Sequence, residues 1–309
     1  MTQESSHRRW GPLGAVAILI VLALGLAWFL PGGRRLASRF FRSLRVQKVQ
    51  TVNVNLSNFV GPDANRTLQQ MVSQMISDKV TVTKSKPGAS AANREQAAQL
   101  VGFRVQLLGA RKDEPILTVS GEHAFTLTVD RARLEAIFQE AGRPDLKLPA
   151  STDGATVAVD IPRMIHARYG DCPGRPSATA NVATPPPHST EYSDCVMLTE
   201  GPSPEVNVPS GLDLGNLAEI GLEVAGMTTS QAKQFLQNVN WRATLGVPIP
   251  RFLRSYETVK VDGVEGTLLN MAGWRGPTYT LIWAKGGMVY SLVGFGDSSG
   301  AVGLANSLD

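Results

Sequence analysis

The sequence predicts an α+β fold, an antiparallel sheet packed by helices, preceded by one transmembrane helix. Three observations carry this. From Pro12 to Leu30 the chain has no charge, with eighteen apolar or glycine residues after one proline. That is about the length a helix needs to cross ~30 Å of hydrocarbon at ~1.5 Å per residue. Beyond residue 46, segments of helical apolar period alternate with segments of two-residue period. The chain then ends in four strand-like runs, joined in pairs by Asp262-Gly263 and Gly286-Gly287, two-residue turns of the kind antiparallel hairpins favour.

Residues 1–11 are read as a short cytoplasmic tail and 12–31 as the membrane helix. A cleaved signal peptide is the competing reading. Its apolar core spans only ~7–15 residues and ends at an Ala-x-Ala type site, whereas this exit reads Trp28-Phe29-Leu30-Pro31. Trp28 and Phe29 sit where interfacial aromatics anchor a span. Residues 34–45 follow as a basic amphipathic segment, in which Leu36, Phe40, Phe41 and Leu44 recur at helical spacing between Arg35, Arg39 and Arg42. Arg35, Arg39, Phe40, Phe41 and Arg42 are the candidate contacts to membrane lipid. A solvated surface helix is the alternative. Counting Arg34, Arg35, Arg39, Arg42, Arg45 and Lys48 after the span against Arg8 and Arg9 before it places the carboxyl side inside.

The cysteines argue the other way. Cys172 and Cys195 are the only two, and they bracket a stretch with Pro173, Pro176, Pro185, Pro186 and Pro187 that suits neither helix nor inner strand. A disulfide there would fasten the ends of the loop, and such bonds persist in oxidising compartments. The pair, if bonded, puts residues 46–309 outside the cytoplasm and overrides the arginine count. Two reduced, unrelated cysteines are the alternative.

Within 46–309 the elements follow in order. Val46 to Leu56 alternates as a strand leaving the membrane. Asp63 or Asn65 caps a helix with Leu68, Met71, Val72, Met75 and Ile76 on one face. Lys84 to Asn93 reads as a polar linker and Arg94 to Val101 as a short helix. Strands are expected at Phe103–Leu108, Ile116–Ser120 and His123–Val129. A helix capped by Asp130 follows, with Leu134, Ile137 and Phe138 inward and Gly142 closing it, then a strand at Ala155–Asp160. After the proline-rich stretch, Asp213 starts a helix with Leu214, Leu217, Ala218 and Leu222. Thr228 or Thr229 starts another, with Ala232, Phe235, Leu236 and Val239. Strands at Tyr256–Val261, Val264–Asn270, Thr278–Ala284 and Met288–Phe295 lead to a short terminal helix within Ser298–Leu308. The region divides into halves 46–170 and 171–309, read as two domains or one composite domain.

The residues offer no active-site constellation. His166 with Cys172 would need a free thiol, which Cys195 opposes. Asp153 with Asp160 suits strand spacing and a turn, and Gly294, Gly296 and Gly300 lack the following Lys-Ser or Lys-Thr of a phosphate loop. His166, His188 and the cysteines show no metal-type spacing, so neither a metal nor a cofactor is expected. At 43% hydrophobic and 18% charged residues the composition supports a packed core. The net charge of +4 comes largely from the segment beside the membrane, which leaves nucleic-acid binding unsupported. Trp241, Phe252, Tyr256 and Trp274 lie near Gly- and Pro-rich loops and are the candidate ligand or partner surface. Core packing is the commoner fate of such aromatics.

Two stretches carry a resemblance. Arg42-Ser43-Leu44-Arg45-Val46-Gln47-Lys48-Val49-Gln50 resembles the membrane exit of a group of uncharacterised bacterial single-pass membrane proteins. Val261-Asp262-Gly263-Val264-Glu265-Gly266 and Tyr279-Thr280-Leu281-Ile282-Trp283-Ala284 resemble the domain of unknown function in the outer segments of transmembrane anti-sigma regulators. The resemblance implies a related outer domain. The expected role is a non-catalytic, membrane-anchored extracytoplasmic sensor or interaction domain that works with a partner membrane protein. Residues 1–11 are too few to fold into the sigma-binding module of those regulators. The alternative role is a lipid or lipoprotein carrier.

Overall fold

The computed structural model describes residues 48–54, 65–172, 194–209, 211–238, 244–250, 255–273 and 276–309. The tail 1–11, the segment 12–31 and the basic segment 34–45 lie outside these residues. No helix among the described residues is long and apolar enough to cross a membrane.

The described residues form an α+β structure with three sheets. The largest holds β3 (Ala89–Ala91), β4 (Ile116–Val119), β7 (Ile165–Tyr169), β8 (Val196–Pro202), β11 (Ser255–Val261), β12 (Val264–Gly273), β13 (Gly276–Lys285) and β14 (Met288–Phe295). Its order is β11-β12-β13-β14-β8-β7-β4-β3, with every neighbouring pair antiparallel. The turns expected at Asp262-Gly263 and Gly286-Gly287 are present, and all four residues have positive φ, as primed hairpin turns require. The register stacks Leu268, Leu281, Leu292, Leu198, Ala167, Leu117 and Ala91 directly across seven strands. This inner row is covered by α2 (Arg94–Val101), α6 (Ala301–Ala305) and the strap Phe103–Leu108 between them. Burying one such leucine stabilises the fold by about 1.5–3 kcal/mol.

The second sheet, β2 (Val80–Ser85), β5 (His123–Thr128), β6 (Thr156–Ile161) and β9 (Glu205–Asn207), is antiparallel in the order β2-β5-β6-β9. Phe125, Val157, Val159 and Val206 pack on Phe138 of α3 (Arg131–Glu140) and on Leu214, Leu217 and Ala218 of α4 (Leu214–Val224). Asn65 caps α1 (Arg66–Lys79) by accepting the Leu68 N–H, and Asp130 and Asp213 cap α3 and α4 in the same way. Helices α1 and α3 run antiparallel. Asn65 bonds Glu140 at one end, and Asp78 pairs with Arg133 (2.6 Å) at the other. Thr228 and Gln231 exchange side-chain and backbone bonds as a capping box at α5 (Thr229–Asn238).

The third sheet pairs β1 (Lys48–Val54) in parallel with β10 (Thr244–Pro250). Strand β1 is inserted between two layers. Val49 packs on Leu269 and Ala284 of the large sheet's outer face, while Val52 packs on Leu222, Ala225 and Ala232 of the α4–α5 pair.

The structure corrects two expectations. Phe103–Leu108 is not a strand but the strap across the inner face, touching a strand-like bridge only at Leu108↔Leu308. Lys84–Asn93 is not a linker, since β2 extends to Ser85 and β3 occupies Ala89–Ala91. Close crossing explains its small residues: a Cβ on Gly88 would lie 2.6 Å from the Val119 carbonyl oxygen. The halves 46–170 and 171–309 share the large sheet, which takes β3, β4 and β7 from the first and five strands from the second. Strand β10 had no counterpart in the sequence reading. Its Pro248 and Pro250 share one parity, which puts both missing N–H groups on a single strand edge.

One ion-pair cluster ties the turn after α3 to α4. Arg143 Nη2 meets Glu223 (2.6 Å) and Asp145 (2.8 Å), and Thr229 donates to the same Glu223 carboxylate (3.0 Å). Glu223 is buried. Replacing Arg143 with Met is expected to destabilise the chain by about 3–5 kcal/mol, because a buried carboxylate loses its counter-ion. Pairing that change with Glu223→Leu should recover most of the loss; urea unfolding of both variants in detergent measures it.

Candidate functional site

Cys172 and Cys195 form a disulfide, with Cα atoms 4.7 Å apart. It lies where β7 ends and β8 begins, at the two ends of residues 173–193. Arg111 organises the surrounding junction. Its Nε and Nη2 bind both oxygens of Asp113 (2.7 and 2.8 Å), and its Nη1 binds Asp194 (2.8 Å). The guanidinium also lies 5.8 Å from the centre of the Tyr169 ring, within cation–π reach. Asp113 accepts the Gly170 N–H (3.0 Å), and the Arg111 hydrogen bonds hold its carboxyl below the usual carboxylate range. Gly170 has φ 68°, and a Cβ there would lie 2.5 Å from the Asp194 carbonyl oxygen. The turn between Tyr169 and the disulfide therefore requires glycine. With its fork engaged by two carboxylates, Arg111 acts as a clamp and not as a receptor for a further anion.

Of the four aromatics expected to form a binding surface, Tyr256 is described. It stands on the edge strand β11 opposite Leu269 and is 39% exposed. Trp241, Phe252 and Trp274 lie outside the described residues, as do Arg35, Arg39, Phe40, Phe41 and Arg42. His166 sits on the outer face of β7, with Nδ1 2.9 Å from the Thr199 hydroxyl. Among the described residues no group of three or more His, Cys, Asp or Glu is placed to hold a metal ion.

A polar cluster absent from the sequence reading lies inside the large sheet. Glu200 on β8 is 1% exposed. It stands in register between Ile165 on β7 and Tyr290 on β14, and Tyr290 is in turn opposite Trp283 on β13. The Trp283 and Tyr290 rings stack at 5.1 Å. Oε1 of Glu200 accepts the Gln106 backbone N–H of the strap (2.7 Å), while the Tyr290 hydroxyl donates to the Gln106 side-chain oxygen (2.9 Å). Tyr169 accepts the Leu108 N–H (2.9 Å). Arg94 Nε donates to the Val105 carbonyl (2.7 Å), and its Nη1 meets Asp309 (3.2 Å). Side chains from β7, β8, β14 and α2 thus hold the strap by its backbone or by Gln106. Glu200 Oε2 and Trp283 Nε1 remain without hydrogen-bond partners.

Burial pushes the Glu200 carboxyl up to about 7 from an ordinary 4.5; the Gln106 N–H and the more distant Arg94 charge only partly oppose this. The sequence signal was the two-residue alternation Val196, Leu198, Glu200, which puts this glutamate on the buried parity.

Because the folded chain holds the Glu200 proton more tightly than the unfolded chain, this group's contribution to stability is fully present below pH ~4.5 and is lost as pH rises through about 7. The loss amounts to about 3 kcal/mol in this contribution. The denaturant midpoint is expected to be lower at pH 8 than at pH 5, and Glu200→Gln should flatten that difference. No family model, curated protein or solved structure matches this chain.

Proposed function

We propose that the chain is a membrane-anchored, extracytoplasmic sensor or protein-interaction domain without catalytic activity, belonging to an envelope-signalling system. The observation that carries the reading is the Cys172–Cys195 disulfide, a bond suited to an oxidising compartment. The uncharged run Pro12–Leu30 supplies the anchor in this reading. The basic, aromatic segment around Arg35, Arg39, Phe40, Phe41 and Arg42 lies on membrane lipid. The resemblance of the terminal hairpins to the outer domain of anti-sigma regulators supports a signalling role, with a second membrane protein as partner.

Among the described residues, the inner face of the large sheet is packed by α2, α6 and the strap. That favours a role exercised through outer surfaces over a carrier that admits lipid between sheet and helices. The test is labelling of Cys172 and Cys195 on intact cells with a membrane-impermeant maleimide. Labelling that requires a reductant is expected. Labelling that requires cell lysis, without reductant, would overturn the location and the role with it.

A further inference from the structure

The outer face of the large sheet is divided into two halves. Over β12, β13 and β14 it is covered by β1, with Val49 on Leu269 and Ala284, and Ile282 and Val289 alongside. Over β4, β7 and β8 it is open among the described residues. The register places Ile116, Arg168 and Met197 directly opposite one another across these three strands. Ile116 is 55% and Met197 37% exposed, two of the three large hydrophobic side chains exposed among the described residues. The third, Tyr256, continues the same row at the far edge, through Val293, Thr280 and Leu269.

Arg168 lies between the two exposed apolar side chains, half-buried, and its guanidinium makes no ion pair or hydrogen bond among the described residues. The neighbouring outer-face positions Thr118, His166 and Thr199 bring no carboxylate. Just outside the row, two residues before Ile116, Glu114 is exposed and makes no ion pair with Arg168 of its own chain. Among the described residues, therefore, the apolar strip holds a cation with no ion-pair partner, and Glu114, two residues before its first member, is an exposed anion with none.

We propose that this open half-face, Ile116–Arg168–Met197, is the docking surface for a second copy of the chain, with Arg168 of each copy meeting Glu114 of the other. A two-fold axis satisfies both charges at once, because an isologous interface presents the same patch from each side. Arginine and methionine are enriched in such interfaces, and an apolar strip around a charged pair excludes water from it. Anchoring both copies in one membrane raises their effective concentration. The proposal rests on reading the chain as an anchored interaction domain and names the second copy as its partner.

The test places a photo-crosslinking residue at Met197 of the full chain in the membranes of expressing cells. A product of twice the chain mass is expected, and this needs no charge variant to fold. Arg168→Glu should lower its yield at least about tenfold, as expected for breaking a charge pair within an interface, and adding Glu114→Arg should restore it. Alkylation of the chain before and after reduction confirms in each variant that the disulfide is closed. Adducts only to lipid or to a protein of another mass overturn the proposal, as does a charge-swapped chain that fails to recover. Free thiols inside the cell would overturn the location argued above while leaving a doubled-mass product at Met197 intact, so the two failures are distinguishable.

Discussion

The pairing of β8 with both of its neighbours is the constraint on which the rest of the structure depends. On one side β8 meets β7, and on the other β14, so the two hairpin systems of the chain become one sheet only through this strand. Its start is fixed by the disulfide and by the Arg111 clamp, and both act on the turn after Tyr169. A slip of one residue in β8 would move Val196 and Leu198 to the outer face and bring Met197 and Thr199 into the core. The covalent and ionic fastenings sit where that slip would begin.

The same strand carries the least comfortable group in the interior. Glu200 takes a position that Leu198 and Val196 imply for an apolar side chain, and only one of its oxygens is satisfied. Its compensation is structural. The strap lacks the regular ladder of a strand, so its N–H groups must find acceptors elsewhere. Glu200 and Tyr169 supply two of them, while Tyr290 holds the Gln106 side chain. An all-apolar sheet face would pack well but would leave those N–H groups unpaired. The carboxyl is held near its neutral form by the burial that its role imposes.

Much of this architecture was legible in the sequence where signals are local. Asn65, Asp130, Asp213 and Thr228 cap helices as their side-chain chemistry implies, and Asp262-Gly263 turns a hairpin because both residues accept positive φ. What was not legible depends on distant partners. Phe103–Leu108 alternates like a strand, yet the neighbours available to it are side chains of a sheet it crosses. Lys84–Asn93 looks like a linker because Pro87, Gly88 and its serines dominate, whereas Gly88 and Gly121 are small because two backbones cross there. Of the candidate surface, expected from its Gly- and Pro-rich surroundings, the described member Tyr256 stands on the edge strand β11. The row Ile116–Arg168–Met197 emerges only once three strands from separate parts of the chain are set in register.

The cover of the inner face joins residues far apart in sequence. Ser307 accepts from the Gly109 N–H, Asp309 donates to the Leu107 carbonyl, and Arg94 binds Asp309 across 215 residues. During synthesis, therefore, the strap and α2 must wait beside a half-built sheet until β14 and the residues after it have emerged. Contacts of such separation form late and slowly. In the interval β7 and its neighbours present an unpaired edge, the kind of surface on which chains aggregate or recruit chaperones. For a chain made from its amino end, the order of emergence becomes part of the folding problem: residues near 309 complete a cover begun by residues near 94.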